Sequence, residues 1–110
     1  MNNQNKPDKI LSFLGLCLKA GKLEIGEESS GAAQRSGKAK LILVASDASP
    51  GTAKRAGDYS EWGNIPLIKL THSKEELGEM LGKRVCAVLA VTDKGMAKAM
   101  AAKIEELQWQ

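Results

Sequence analysis

The stretch Lys38-Ala-Lys-Leu-Ile-Leu-Val-Ala-Ser-Asp-Ala-Ser-Pro50 decides the fold, because in it an apolar run ends abruptly at a small polar turn. Leu41 to Ala45 carries no charge and no polar alternation, the pattern of a strand covered on both faces. The segment therefore predicts a central strand. Ser46-Asp47-Ala48-Ser49-Pro50 follows at once, with Ser49 placed to cap a helix and Pro50 suited to its first position, where a missing N–H costs nothing. A buried strand that delivers a polar loop is a common way to hold a binding residue in place.

Working outward, the chain alternates helix and strand. Before the central strand, Ile10, Phe13, Leu14, Cys17 and Leu18 form one helical stripe that Ala20-Gly21 closes. Lys22 to Ile25 reads as a short strand. Gly26 then opens a second helix, with Glu27 and Glu28 in its first turn complementing the helix dipole. Ser29, Ser30 and Gly31 make that helix intrinsically weak, since an internal glycine costs about 1 kcal/mol against alanine. Beyond Pro50 the pattern predicts a helix over 52–62, a strand from Pro66 to Leu70, and a helix over 73–81 opened by the capping box Ser73 and Glu76. A chargeless strand over 85–91 and a final helix over 94–107 complete the order, the last with Met96, Met100, Ile104 and Leu107 on one face. The expectation is an α/β chain, a three-layer α/β/α sandwich around a small mixed four-stranded sheet.

Composition sets bounds on this reading. The 110 residues suffice for one domain with a real core, so residues 1–110 are read as a single domain, with 1–7 as a polar, frayed start. Hydrophobic residues make up 43% and aromatics 4%, which favours an aliphatic α/β core over an aromatic β-sandwich. Sixteen Lys and Arg against thirteen Asp and Glu leave a net charge of +3. So mild an excess permits a nucleic-acid partner and does not demand one, because phosphate binding depends on clustering. Cys17 and Cys86 lack metal-ligand spacing and read as buried free thiols, suited to a reducing cytoplasm. The start carries no signal-peptide pattern, and no apolar run nears the roughly 20 residues of a membrane span.

Catalytic readings find little support. Neither a Gly-x-Gly-x-x-Gly nor a phosphate-loop motif is present, and there is no nucleophile elbow. His72 precedes a capping serine and reads as a turn residue. Asp47 and Asp93 each follow an apolar strand, where ending the strand or capping the next helix is the stronger assignment. The basic residues are more telling in arrangement than in number. Lys22, Arg35, Lys38, Lys40, Lys54, Arg55, Lys83 and Arg84 lie near element ends and loops. Gly26 and Ser36 mark opposite ends of one helix, roughly 15 Å apart at 1.5 Å per residue, so Lys38 and Lys40 belong to a different surface from Gly26.

Six short motifs in order carry a resemblance. They are Ala20-Gly21-Lys22, Gly26-Glu27-Glu28, Ser36-Gly37-Lys38-Ala39-Lys40, Ala45-Ser46-Asp47-Ala48-Ser49, Ser73-Lys74-Glu75-Glu76-Leu77-Gly78 and Thr92-Asp93-Lys94-Gly95-Met96-Ala97-Lys98. Together they resemble the kink-turn-binding ribosomal protein family of the large subunit, in its small bacterial YlxQ-like branch. The resemblance implies a non-catalytic, cytoplasmic protein without cofactor or metal that binds structured RNA, ribosomal RNA foremost, with ribosome-associated proteins as further partners and no membrane. It implies an RNA surface made of Gly26, Glu27, Glu28, Ser29 and Ala32 on helix two, Asp47 and Ala48 after the central strand, and Lys83, Arg84 and Val85 before the last strand. Lys22 and Arg35 add positive charge.

The chain departs from the family's pattern within helix two. The tight kink-turn binders read Gly-x-Asn-Glu-x-x-Lys; here Gly26 is kept, while Glu28, Ser29 and Ala32 stand at the Asn, Glu and Lys positions. Two adjacent carboxylates repel phosphate yet still accept hydrogen bonds from bases. The expectation is weakened kink-turn affinity, with RNA held by charge. The alternative is a protein-interaction module on the same fold.

Overall fold

The computed structural model describes Asp8 to Gln108, with side chains to Leu107. The expectation that residues 1–7 fray lies outside these residues. The elements run α1 (Lys9–Lys19), β1 (Leu23–Ile25), α2 (Glu27–Arg35), β2 (Leu41–Val44), α3 (Pro50–Gly63), β3 (Leu67–Lys69), α4 (Lys74–Met80), β4 (Val88–Val91) and α5 (Lys94–Gln108).

The sheet order is β1-β4-β2-β3, so the Leu41–Val44 run is an interior strand as its composition implies. It lies antiparallel to β4 and parallel to β3, and β1 is antiparallel to β4, which makes the sheet mixed. All four residues of β2 are buried. Successive side chains of a strand point to opposite faces, and the core divides accordingly. Leu41 and Leu43 pack with Leu14, Cys17, Leu77, Leu89, Met100 and Ile104 under α1, α4 and α5. Ile42 and Val44 pack with Ala33, Ala56, Tyr59 and Val88 under α2 and α3. Each such aliphatic side chain removed from water stabilises the fold by about 1.5–3 kcal/mol.

The helix boundaries follow from capping. Ser49 accepts the amide of Thr52, Ser73 and Glu76 complete their capping box, and Asp93 accepts the amide of Met96 at 2.8 Å. Helix α3 thus begins at Pro50, at the start the Ser49-Pro50 pair predicts. The composition that makes α2 look weak is a packing requirement: Ser30, Gly31 and Ala33 are its buried residues, and a Cβ on Gly31 would stand 2.7 Å from the Tyr59 ring.

Two expectations need correction. The last strand begins at Val88 and not at Val85, because the amide of Cys86 turns away from the sheet to the carbonyl of Lys74 at 2.8 Å. Leu107 is 39% exposed and does not extend the packed face of Met100 and Ile104. His72 lies in the bend before the Ser73 cap, in keeping with its reading as a turn residue, and is buried there with its Nε2 2.8 Å from Oδ2 of Asp8, the cap of α1. Among the described residues no helix is long and apolar enough to cross a membrane.

Candidate nucleic-acid interface

Strand direction decides which loops meet. Ile25 pairs with Leu89, and Val44 pairs with Val88. The C-terminal ends of β1 and β2 and the N-terminal end of β4 therefore share one end of the sheet. The start of α2, the 45–49 loop and the 82–87 loop all emerge there. Two further hydrogen bonds seam them together, from Gly26 N to Val88 O and from Ala45 N to Ala87 O, each 2.8 Å.

Gly26 makes the turn into α2 with φ 101° and ψ 162°, a conformation that side chains oppose. It offers no side-chain cap. The first hydrogen bond back into the helix runs from Ser30 N to Gly26 O. The amides of Glu27, Glu28 and Ser29 therefore precede the helical ladder, at the positive end of the helix dipole. Glu28 and Ala32, four residues apart, share an exposed face of α2, with Ser29 half-buried beside them.

Each loop is braced from behind. Asp47 is exposed, and its Oδ1 accepts the amide of Lys74 at 2.8 Å, so it ties the loop after β2 to the start of α4. That is a capping role, and Ala48 beside it packs half-buried on the α2/α3 core. The 82–87 loop leans on α4. Lys83 N donates to Gly78 O at 2.7 Å, and a Cβ on Gly78 would stand 2.7 Å from Val85 Cα. With that support beneath it, the loop presents Lys83, Arg84 and Val85 outward, and Val85 is 50% exposed.

The electrostatics of this end turn on Arg55, a residue outside the expected site. It reaches from α3 to grip both carboxylate oxygens of Glu27 through Nε and Nη2. The Arg55 hydrogen bond holds the Glu27 carboxyl below its ordinary pKa, with Thr52 adding a smaller pull. Among the described residues Glu28 has no such partner. Among the described residues the ion pairs are Lys54–Asp58, Arg55–Glu27 and His72–Asp8, which leaves Lys83 and Arg84 unpaired. The pairing of residues 28 positions apart carries no local signal in the sequence.

Lys22 and Arg35 lie elsewhere. Lys22 precedes β1 and its carbonyl accepts Thr92 N at 2.9 Å, placing it at the opposite end of the sheet. Arg35 ends α2, more than a helical turn past Ser29. Burial pushes the thiols of Cys17 and Cys86 up, and both are free. Among the described residues no group of three or more His, Cys, Asp or Glu is arranged to hold a metal ion.

Residues 8–101 match the model of the ribosomal protein L7Ae/L30e/S12e/Gadd45 family. The chain is 38% identical over 103 residues to an RNA-binding protein YlxQ of Enterococcus faecium, covering 94% of this chain and 98% of that relative. It is 38% identical over 88 residues to the RNA-binding protein YlxQ of Bacillus subtilis, covering 80% and 87%. It is also 35% identical over 100 residues to the large ribosomal subunit protein eL30 of Neurospora crassa, covering 90% and 92%. A solved structure from Bacillus halodurans, described as a protein with unknown function, superimposes with a TM-score of 0.82 at 33% identity, over 90% of this chain and 99% of that one.

Proposed function

The chain belongs to the ribosomal protein L7Ae/L30e/S12e/Gadd45 family, and from that membership we propose that it is a non-catalytic RNA-binding protein that engages structured ribosomal RNA through the loop end of its sheet. The observation that carries the reading is the convergence of the α2 start with the 82–87 loop, seamed by Gly26 and Val88. Helix-start amides meet phosphate or base edges there, Lys83 and Arg84 supply free positive charge, and Val85 and Ala48 give apolar cover to an unstacked base. RNA is recognised by the shape and splayed bases of bent internal loops, which suits a composite surface of this kind. The two YlxQ relatives are RNA-binding proteins and eL30 is a ribosomal protein, and both support the assignment.

The surface binds RNA less by motif than by charge. Glu28, Ser29 and Ala32 occupy α2 where the tight kink-turn binders carry Asn, Glu and Lys, so a generic kink-turn binds more weakly than ribosomal RNA. Buried free thiols support a cytoplasmic location, and residues 1–110 act as one RNA-binding domain. A filter-binding titration of the full chain against ribosomal RNA and a generic kink-turn tests the proposal. Salt-dependent binding at micromolar protein or tighter is expected. No binding to either RNA at that concentration overturns it.

A further inference from the structure

The end of the sheet remote from these loops holds a second feature that the RNA-binding surface does not use. A cleft of about 360 Å³ opens between the start of β2 and α5, lined by Lys40, Leu41, Pro66, Lys94, Ala97, Lys98 and Ala101. Its position is fixed by the backbone. Lys40 N donates to Val91 O at 2.8 Å, and Leu41 pairs with Val91, at the far end of β4 from Val88. The four residues of β2 separate the two ends by about 13 Å at 3.3 Å per residue.

Chemistry divides the cleft into a floor and a rim. Leu41, Pro66, Ala97 and Ala101 give an apolar floor, and the small alanines of α5 leave it open. Lys94 and Lys98 stand four residues apart on one face of α5, opposite Lys40. The Lys40 ammonium is steadied by the Gly37 carbonyl at 3.2 Å. None of the three lysines belongs to any ion pair among the described residues. Lys22 and Lys38 are exposed at the same end and extend the positive field. The same end also carries Glu61 near the end of α3 and the Asp93 carboxylate, which caps α5 through Met96 N, whereas the loop end sets Glu27, Glu28, Asp47, Glu75 and Glu76 among its cations.

We propose that this lysine-rimmed cleft is a second RNA contact, which grips the phosphodiester backbone of a single-stranded segment while a base or ribose lies on the apolar floor. Unpaired ammonium groups around a concave apolar surface match the alternation of charge and flat apolar rings along a single strand. The cleft's volume is that of a small-ligand site, which fits one nucleotide unit. The inference rests on the RNA-binding reading and extends it to a different surface, so the two can fail separately.

The test uses the full chain, a labelled uridine 12-mer and a structured ribosomal RNA, with fluorescence anisotropy across a salt series. The variants are Lys40→Ala/Lys94→Ala/Lys98→Ala, the charge-keeping Lys40→Arg/Lys94→Arg/Lys98→Arg, and Lys83→Ala/Arg84→Ala at the loop end. For the 12-mer, the triple alanine variant is expected to lose more than tenfold in affinity at low salt, and its log–log salt slope falls by about 2, from about 0.7 per phosphate contact on single strands. The arginine variant keeps the binding, and the loop-end variant loses less 12-mer affinity and less salt slope than the triple alanine variant. An unchanged 12-mer slope in the triple alanine variant overturns the inference, even where structured RNA still binds. Amide shifts at Ala97 and Ala101 with uridine monophosphate, without any loss of 12-mer binding in that variant, also overturn it, in favour of a free nucleotide. Absence of 12-mer binding by the wild-type chain overturns it as well, while failure of structured RNA alone overturns only the loop-end reading.

Discussion

Arg55 of α3 closes on Glu27 at the first turn of α2, so only one of the two adjacent carboxylates at the mouth of the loop end, that of Glu28, faces an incoming phosphate unneutralised. The sequence presents Glu27-Glu28 as a doubly repulsive pair. The fold converts it into one neutral pair and one free charge. That difference matters, because repulsion from an exposed charge acts over about 8–10 Å at physiological salt.

Arg55→Ala is therefore expected to weaken RNA binding roughly three- to tenfold while leaving stability nearly unchanged, as for an exposed ion pair. Freed of Arg55, the Glu27 carboxyl returns toward its ordinary pKa. The double variant Glu27→Gln/Arg55→Ala recovers most of the lost affinity if the released carboxylate is the cause. Anisotropy titrations of the three proteins in one buffer decide this.

Glu28→Gln acts in the opposite direction. Removing the unpaired carboxylate is expected to tighten binding roughly two- to fivefold at low salt, and the gain shrinks as salt rises. A salt series on the single variant measures it. Equal affinities at low salt would place Glu28 outside the contact.

Gly78→Ala tests the brace beneath the 82–87 loop. Its Cβ would stand 2.7 Å from Val85 Cα and 2.9 Å from the Arg84 carbonyl carbon, backbone atoms that yield only by moving the loop. A loss of about 1–3 kcal/mol is expected in urea unfolding. Amide shifts should be confined to α4 and residues 82–87, and RNA affinity should fall with Lys83 and Arg84 displaced.

Asp8 gives the pH dependence a sign. Partial burial raises its pKa, but the amides of Leu11 and Ile10 together with His72 outweigh that, and the net shift is below the ordinary value of 3.8. A carboxylate with a depressed folded pKa adds stability that is fully present above its unfolded pKa and is lost as pH falls through the folded value. Asp8→Ala is expected to cost about 1 kcal/mol near neutral pH, the ordinary worth of a side-chain cap. Urea unfolding of both proteins from about pH 6 to about pH 2 checks this. The difference between them should shrink below about pH 4.

Local chemistry made much of this molecule legible in the sequence. The chargeless Leu41–Val44 run, the Ser49-Pro50 start, the Ser73–Glu76 box and the Gly26 turn each declare their structure within a few residues, and the fold honours them. The features that escaped are those set by distant partners. Cys86 leaves the strand pattern because its amide goes to Lys74. Asp47 caps a helix 27 residues away. Gly31 is demanded by the Tyr59 ring, and Glu27 is neutralised by Arg55. In the candidate site, the converging loops were readable from ordered motifs. The charge balance was not, since it depends on which side chains meet across α2 and α3.

Ultraviolet crosslinking of the full chain to structured ribosomal RNA, followed by mass spectrometry of the nucleotide-bearing peptides, tests the central claim most directly. The account predicts crosslinks within residues 26–32 and 83–85, lost or sharply reduced in the Lys83→Ala/Arg84→Ala variant. Efficient crosslinks that avoid both segments and are unchanged in that variant would contradict it.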